Sequence, residues 1–278
     1  MRQRLDVLIV ERGLLSSREM AQAAIMDGAV LVDGEKVTKP GQNIDVLAKV
    51  ELIPSFRQKK YVSRGGLKLE KAISHFAAPI KDRICLDVGA STGGFTDCLL
   101  QHGAKKVYAV DVGYGQFDWK LRNDQRVVLK ERQNIRYLTA LELYGEGNNE
   151  FAQLAAIDLS FISLKLVLSA CHQLLDQKKA AMICLVKPQF EVGKGLVGKG
   201  GVVRSAELQV KAIEQVIESA AQLNLFAADL THSPVLGPAG NIEFLLFLKK
   251  DSDNKQIKIE NVVEIAHADL VAPKKRTC

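Results

Sequence analysis

Over the first 54 residues, apolar positions recur first at helical spacing and then in a strand alternation. In "RLDVLIVERGLL" the apolar residues Leu5, Leu8 and Ile9 share one helix face, and a glycine ends the pattern. The next stretch, "SSREMAQAAIMDG", begins at a serine cap and ends at Gly28. Then "AVLVDGEKVTKPGQNI" and "DVLAKVELI" alternate around a "DGEK" turn. The pattern predicts two short helices and a small sheet closed by hairpins.

From about residue 80, strand patterns alternate with amphipathic helix patterns. Seven apolar stretches predict strands, namely "RICLDVGA", "KKVYAVDVG", "RVVLKE", "QLAAIDLS", "AAMICLVK", "LFAADLTHS" and "IEFLLFLKK". The clearest helices between them are "GGFTDCLLQHG", "QFDWKLRND", "SLKLVLSACHQLLD" and "SAELQVKAIEQVIESAAQL". Such alternation is typical of an α/β fold, and it predicts a doubly wound, mostly parallel sheet of seven strands.

Length and composition indicate an ordinary globular chain of two domains, with 278 residues, 47% hydrophobic and 25% charged. No apolar run approaches the roughly 18 residues of a membrane span, and the N-terminus is too charged for a secretion signal. We therefore expect a cytoplasmic protein with no membrane partner. The five cysteines, an odd number without C-x-x-C spacing, predict reduced thiols and no metal site.

Positive charge is concentrated in one place. The chain has a net charge of +6, and the stretch "RQKKYVSRGGLKLEK" from Arg57 to Lys71 sets six cations against the single acid Glu70. A solvated linker would explain such a stretch by itself. Its density of cations also favours a polyanionic partner.

The first strand of the predicted sheet ends in a glycine turn, "DVGASTGGF". Gly89 and Gly93 allow a sharp turn into a helix and a close approach to a ligand, while Asp87 can accept hydrogen bonds. Asp111 ends the next strand, 24 residues after Asp87, about where related folds place a ribose-binding carboxylate. The pair predicts a site for an adenosyl ligand. The turn lacks the full G-x-G-x-x-G pattern, which disfavours a nicotinamide dinucleotide.

Two further motifs admit other interpretations. "GASTG" has the G-x-S-x-G form of a hydrolase nucleophile turn, and Asp158 and His232 follow in the matching order. However, this strand is the first of its domain and no oxyanion loop precedes it, so a serine hydrolase is disfavoured. "GKGLVGKGG" lacks the last residue of a phosphate-binding loop, and a glycine lid over the site is the preferred interpretation.

Four charged residues fall at predicted strand ends or on the helix that enters the sheet: Lys68, Asp158, Lys187 and Glu243. Each has an ordinary structural explanation when taken alone. The strand "AAMICLV" nevertheless ends on a lysine that Pro188 immediately follows, and an ammonium at the rim of a buried sheet is costly unless it has a use. In chain order, Lys, Asp, Lys and Glu resemble the tetrad of the FtsJ-type RNA ribose 2′-O-methyltransferases.

The N-terminal region resembles the alpha-L RNA-binding module of ribosomal proteins over "RLDVLIVERGLLSSREMAQAAIMDGAVLVDGEKVTKPGQNI". In that family, basic side chains contact the phosphate backbone of structured RNA. The resemblance implies RNA-binding roles for Arg2, Arg4, Arg18, Lys36 and Lys39, and the basic linker adds Lys60 and Arg64.

The whole chain resembles the TlyA family, also called haemolysin-like ribosomal RNA methyltransferases. The resemblance is carried by "YVSRGGLKLEKA", "DVGASTGGFTDCLL", "VDVGYGQ", "IDLSFISL", "LVKPQFE", "GKGGVVR" and "GNIEF". The family often has a tryptophan where this chain has Tyr61. The resemblance implies a Rossmann-like methyltransferase sheet, S-adenosyl-L-methionine as cofactor, and ribosomal RNA or ribosomal subunits as partners. The implied reaction is methylation of a cytidine 2′-hydroxyl.

This resemblance also divides the chain and assigns its site. The expected regions are an RNA-binding domain (1–56), a basic linker (57–64), a methyltransferase domain (65–250) and an unassigned C-terminal extension (251–278). The expected cofactor-binding residues are Asp87, Gly89, Ser91, Gly93, Phe95, Asp111, Asn134 and Asp158. The expected catalytic residues are Lys68, Asp158, Lys187 and Glu243.

A mechanism follows from the chemistry of the implied reaction. A ribose hydroxyl is a poor nucleophile, so a group must remove its proton during attack on the sulfonium methyl. We expect Lys187 to be that base as a neutral amine, favoured by burial and by nearby Lys68 and oriented by Asp158. Two other classes stay open: a non-catalytic RNA binder of ribosome assembly, and a membrane-active haemolysin.

Overall fold

The computed structural model describes residues 1–15, 17–26, 28–53, 60–250 and 257–271. The chain divides into two compact units, Met1–Lys60 and Tyr61–Cys278. Most of the predicted linker's basic stretch before Lys60, and the extension at 251–256 and 272–278, lie outside the described residues. The boundaries at 56, 64 and 250 stay predictions.

The N-terminal unit is a small α+β fold. Its elements are β1 (Arg2–Arg4), α1 (Leu5–Glu11), α2 (Arg18–Met26), β2 (Val30–Val32), β3 (Glu35–Val37), β4 (Asn43–Asp45) and β5 (Val50–Leu52). Strands β1 and β4 pair antiparallel, and β3, β2 and β5 form an antiparallel sheet in that order. Asp33 and Gly34 between β2 and β3 both have positive φ, 51° and 84°, as a two-residue hairpin turn requires. The predicted helices and hairpin sheet are confirmed.

A buried carboxylate joins the two helices of this unit. Asp6, fully buried in the first turn of α1, accepts hydrogen bonds from Arg4 Nε at 3.0 Å and Nη2 at 2.9 Å. It also accepts from Arg18 Nε at 2.9 Å and from Gln22 Nε2 at 2.8 Å, both on α2. The hydrogen bond from Arg4 is the largest cause that holds the pKa of Asp6 well below its usual range. Arg4 and Arg18, predicted to bind RNA, therefore also stabilise the fold.

The second unit contains a seven-stranded sheet. Its strands are β6 (Ile84–Val88), β7 (Lys106–Val110), β8 (Val127–Lys130), β9 (Leu154–Ile157), β10 (Ala181–Val186), β11 (Phe226–His232) and β12 (Phe244–Lys249). They lie in the order β11-β12-β10-β9-β6-β7-β8, and β12 runs antiparallel to both its neighbours while the other pairs are parallel. The predicted seven-stranded, mostly parallel sheet is confirmed.

Helices cover both faces of this sheet. They are α3 (Gly65–Phe76), α4 (Gly94–Gln101), α5 (Trp119–Arg122), α6 (Ala140–Tyr144), α7 (Leu168–Gln173), α8 (Pro188–Glu191), α9 (Ala206–Ala221) and α10 (Ile259–Leu270), with 3₁₀ turns at 164–166, 194–196 and 199–201. Every residue of β6 and β10 is buried, which explains their unbroken apolar sequences. One core cluster joins α7, α9 and α10 to the sheet, and a second joins α3 and α4 to it. Helix α10 lies within the region predicted only as an extension.

The strand register brings the candidate residues to one edge. Cys184 of β10 pairs with Ile157 of β9, so Asp158 lies one residue beyond that pair. On its other side, Val186 pairs with Phe244, the first residue of β12. Continued by one residue, this antiparallel register sets Lys187 opposite Glu243. Asp158, Lys187 and Glu243 thus lie together at the carboxyl ends of the parallel strands.

The Asp6 network predicts how the N-terminal unit responds to substitution. Asp6→Ala removes hydrogen bonds to two guanidinium groups and should lower the free energy of unfolding of this unit by about 2–3 kcal/mol. Because folding lowers the pKa of Asp6, its contribution is complete above its unfolded pKa of about 3.9 and falls as the pH drops below that value. Urea denaturation of the full chain, monitored through hydrogen exchange of the amides in α1 and α2, measures the loss of stability and its dependence on pH.

Glu35→Ala, on an exposed residue of β3, is the matched control. If the Asp6→Ala and Glu35→Ala proteins unfold at the same urea concentration at pH 7, the network does not stabilise the unit.

Candidate active site

A cleft of about 520 Å³ opens at the carboxyl edge of the sheet, beside the ends of β6, β7 and β9. Its volume lies in the range of ordinary small-molecule sites. Five of the predicted cofactor-binding residues line it, and these are Gly89, Ser91, Asp111, Asn134 and Asp158. Gln116, Gln133, Ser160 and Phe161 complete its polar and aromatic lining.

The turn after β6 needs its glycines for two different reasons. Gly89 has a φ of +85°, and a β-carbon there would run into the carbonyl oxygen of Asp158. Gly93 has a φ of +92°, and a β-carbon there would approach Leu121 Cδ1 to 2.5 Å. The first glycine therefore permits β6 and β9 to end side by side at the cleft. The second permits α4 to pack against the segment of α5, away from the cleft.

Three predicted cofactor-binding residues lie behind the cleft. Besides Gly93, these are Phe95, buried in the core between α3 and α4, and Asp87, which is fully buried. Asp87 Oδ2 accepts a hydrogen bond from Thr96 Oγ1 at 2.6 Å. Its Oδ1 has no hydrogen-bond partner among the described residues, and burial raises the pKa of Asp87 to about 7. Asp87 thus supports the first turn of α4 from within the fold.

Asp111 fixes the shape of the cleft wall. Its Oδ2 accepts the backbone N–H of Ser91 at 2.7 Å, and its Oδ1 accepts that of Gly113 at 2.6 Å. The carboxylate thus joins the turn after β6 to the loop after β7. Each oxygen keeps a second lone pair, so the group can also accept hydrogen bonds from a ligand. A rigid carboxylate beside a glycine turn fits the ribose of an adenosyl cofactor.

The four predicted catalytic residues form two ion pairs at this edge. Lys187 Nζ lies 2.6 Å from Asp158 Oδ1, and the two side chains are 9% and 20% exposed. Lys68 Nζ lies 2.6 Å from Glu243 Oε2, with exposures of 10% and 1%. Each largely buried ammonium therefore has a carboxylate partner, as a buried charge requires. Glu243 Oε1 has no hydrogen-bond partner among the described residues.

Asp158 belongs to both parts of the site. It lines the cleft and pairs with Lys187, so it connects the small-molecule pocket to the lysine. Lys187 also donates a hydrogen bond to Ser160 Oγ at 3.0 Å. Two acceptors therefore fix the position of the Lys187 amine next to the cleft.

The alternative hydrolase triad does not assemble. His232 lies on β11, four strand spacings from β6, or roughly 19 Å at about 4.8 Å per strand. Its Nε2 lies 3.1 Å from Asp269 Oδ2 on α10, and its Nδ1 lies 2.9 Å from the carbonyl oxygen of Ser233. Both ring nitrogens thus have partners far from Ser91. The structure excludes a Ser91 nucleophile activated by His232.

Several residues of the site were not predicted from the sequence. Phe161 is 92% exposed at the rim of the cleft and has a φ of +65°, which is costly for a bulky side chain. Its ring centroid lies 5.3 Å from that of Phe190. Ser160 and Phe161 closely follow the candidate Asp158 in "IDLSF". This proximity to a predicted strand end was the sequence feature that could have identified them as site residues.

The glycine-rich segment also has a buried partner that the sequence did not reveal. Asn241 Nδ2 donates to the carbonyl oxygen of Gly201 at 2.8 Å, and its Oδ1 accepts the N–H of Val203 at 2.9 Å. The C-terminal end of the predicted glycine lid is therefore fixed. Whether its interior closes over the cleft stays a prediction.

The predicted RNA-binding residues differ in their surroundings. Arg2, Lys36, Lys39 and Lys60 are exposed. In the second unit, Arg64 donates through Nη2 to the carbonyl oxygen of Leu236 at 3.1 Å. The described residues contain no cluster of three His, Cys, Asp or Glu side chains able to hold a metal ion. Among these same residues, no helix has the length and apolar character to cross a membrane.

Comparison with known proteins agrees with this geometry. Residues 61–250 match the FtsJ-like methyltransferase family, and residues 3–47 match the S4 domain. The chain is 46% identical to YqxC of Bacillus subtilis, named a candidate rRNA methyltransferase, over 97% of this chain and 95% of that protein. It is 43% identical to the 16S/23S rRNA (cytidine-2′-O)-methyltransferase TlyA of Mycobacterium tuberculosis, over 91% of each.

A solved structure extends the match to the fold. A Streptococcus thermophilus protein, described as a candidate hemolysin, superposes with a TM-score of 0.73 at 42% identity and covers 96% of both chains. The chain therefore belongs to the TlyA family of FtsJ-like methyltransferases that carry an N-terminal S4 domain.

Proposed function

We propose that this protein transfers a methyl group from S-adenosyl-L-methionine to the 2′-hydroxyl of a cytidine in ribosomal RNA. The observation that carries the proposal is the Lys187–Asp158 pair, 2.6 Å long, in which Asp158 also lines the cleft. It sets a candidate base directly beside a candidate cofactor site. The activity named for the Mycobacterium tuberculosis relative supports the RNA substrate and the cytidine target.

The cleft residues have distinct roles in this proposal. When bound, S-adenosyl-L-methionine supplies an electrophilic methyl group on its sulfonium. The fixed carboxylate of Asp111 accepts hydrogen bonds from the ribose hydroxyls of the cofactor, and the turn at Gly89 lets the backbone approach it. Asn134 contributes a further polar group to the same wall.

Lys187 has the position of a general base. A 2′-hydroxyl that enters beside the cleft would meet its amine, which accepts the hydroxyl proton once the amine has lost its own. Asp158 and Ser160 hold the amine in place during this transfer. Lys68 and Glu243 form the neighbouring buried pair and position the first residues of β12 next to Lys187.

The remaining features suit a folded RNA. Exposed Lys36 and Lys39 of the S4 domain can contact phosphates without disturbing the Asp6 network. Phe161 presents an exposed ring at the rim of the cleft, where a nucleobase can stack on it. Because the proposed substrate is ribosomal RNA, we place the protein in the cytoplasm.

Substitutions at Lys187 test the base. Lys187→Ala should lower the single-turnover methylation rate by roughly 100-fold or more, the usual scale for a positioned base. Lys187→Arg keeps the positive charge but cannot be a neutral base near pH 7, so it should be nearly as slow. A reaction that needs a general base should run faster as the pH rises, so the rate of the unmodified protein should increase with pH. Single-turnover rates on ribosomal subunits across pH measure these effects.

Lys165→Arg, an exposed lysine near the site, is the matched control, and calorimetry with the cofactor verifies the fold. A Lys187→Arg enzyme that keeps more than a tenth of the rate, together with a flat pH profile, rejects the base. Absence of methylation by the unmodified protein would instead favour a non-catalytic RNA binder.

Substitution of Asp111 tests the cofactor site. Asp111→Asn replaces one carboxylate oxygen with an amide donor that faces a backbone N–H, and it weakens acceptance from ribose hydroxyls. We expect affinity for S-adenosyl-L-methionine to fall about 10- to 100-fold, the scale of a lost charged hydrogen bond. Isothermal titration of the full chain measures it. Asp124→Asn, which affects an ion pair with Arg126 outside the cleft, is the control, and equal affinity in all three proteins refutes the assignment.

A further inference from the structure

A second cavity, of about 320 Å³, lies at the opposite edge of the sheet. It is bordered by the first residue of β10, the last residue of β12 and the end of α3. Strand β10 has six residues, which at about 3.3 Å per residue separates this cavity from Lys187 by roughly 20 Å. It is therefore distinct from the active-site cleft.

The charged residues that line this second cavity are all cations. They are Arg83, Lys178, Lys179, Lys249 and Lys250. None of the five forms a salt bridge within the described part of the chain. The nearby carboxylate of Asp176 accepts the backbone N–H of Lys178 at 2.8 Å instead. Five like charges around one cavity repel each other, and an anionic ligand would relieve that repulsion.

The floor of the cavity is aromatic. The rings of Phe76 and Phe247 stack with centroids 5.3 Å apart at an interplanar angle of 12°. Lys249 Nζ lies 5.4 Å from the centroid of the Phe247 ring. A basic rim over an apolar floor suits a nucleotide unit, whose phosphate is anionic and whose sugar and base are partly apolar.

We propose that this cavity binds a backbone phosphate of the substrate RNA and forms a second anchoring point outside the active site. The inference rests on the proposed function, because that function supplies the polyanion. Contacts to phosphate fix the position of an RNA without specifying its sequence. A contact roughly 20 Å from Lys187 would limit rotation of the RNA relative to the catalytic edge.

The test compares two double variants of the full chain with the same change in charge. Lys178→Ala with Lys179→Ala removes two cations from the cavity. Lys211→Ala with Lys258→Ala removes two exposed cations elsewhere. Lys178 and Lys179 are chosen in preference to Lys250, because Lys250 is followed closely in the sequence by the acids Asp251 and Asp253, which lie outside the described residues. Binding to ribosomal RNA is measured at several salt concentrations, and thermal unfolding verifies the fold.

We expect the cavity variant to bind RNA about fivefold or more weakly than the control variant, and its log–log salt slope to decrease by about 1–2. Equal affinity and slope in the two variants overturn the inference, even if the unmodified protein methylates RNA. If the unmodified protein neither binds nor methylates ribosomal RNA, the proposed function fails first. The two failures are thus distinguishable.

Discussion

Two lysines remain inside this sheet domain because each meets a carboxylate. An isolated ammonium buried to the extent of Lys187 or Lys68 would be strongly destabilising, and the 2.6 Å contacts to Asp158 and Glu243 offset that cost. Replacing both pairs by well-packed apolar residues could be neutral or stabilising for the fold. The pairs are therefore poorly explained by stability and well explained by chemistry at this edge. The two partners of each pair lie on different elements, so the need to pair each lysine also fixes the positions of the strand ends relative to one another.

The antiparallel strand β12 makes this arrangement possible. In an all-parallel sheet, a residue just before a strand lies at the edge opposite the carboxyl ends of its neighbours. Since β12 runs the other way, Glu243 precedes its strand and still reaches the edge where Lys187 follows β10. Gly89 then allows β6 to end against the carbonyl of Asp158. One reversed strand and one glycine thus bring the two ion pairs and the cleft together.

The sequence predicted what depends on local pattern. Unbroken apolar strands identified the buried sheet, and the Asp33–Gly34 turn identified a hairpin. Spacing along the chain also located the strand ends where Asp111 and Asp158 line the cleft. It could not show on which side of the turn each residue points, and Asp87 and Phe95 lie behind the cleft.

The sequence likewise could not predict which side chains contact each other in the folded protein. The basic pattern of the S4 domain did not reveal that Asp6 binds both Arg4 and Arg18. Helix α10 has only two buried residues, Val263 and Ala266, too few to distinguish its sequence from that of an exposed extension.

That C-terminal helix has a structural connection to the active edge. His267 of α10 lies 2.9 Å from Gln209 Oε1, and Gln209 Nε2 donates to the carbonyl oxygen of Val203 at 2.9 Å. The N–H of Val203 in turn donates to Asn241, two residues before Glu243. Because Gln209 and Asn241 are almost fully buried, losing either amide would leave polar groups without partners in the core. The helix therefore helps to fix the end of the glycine-rich segment beside the Lys68–Glu243 pair, and a region without a recognisable motif contributes to the geometry of the site.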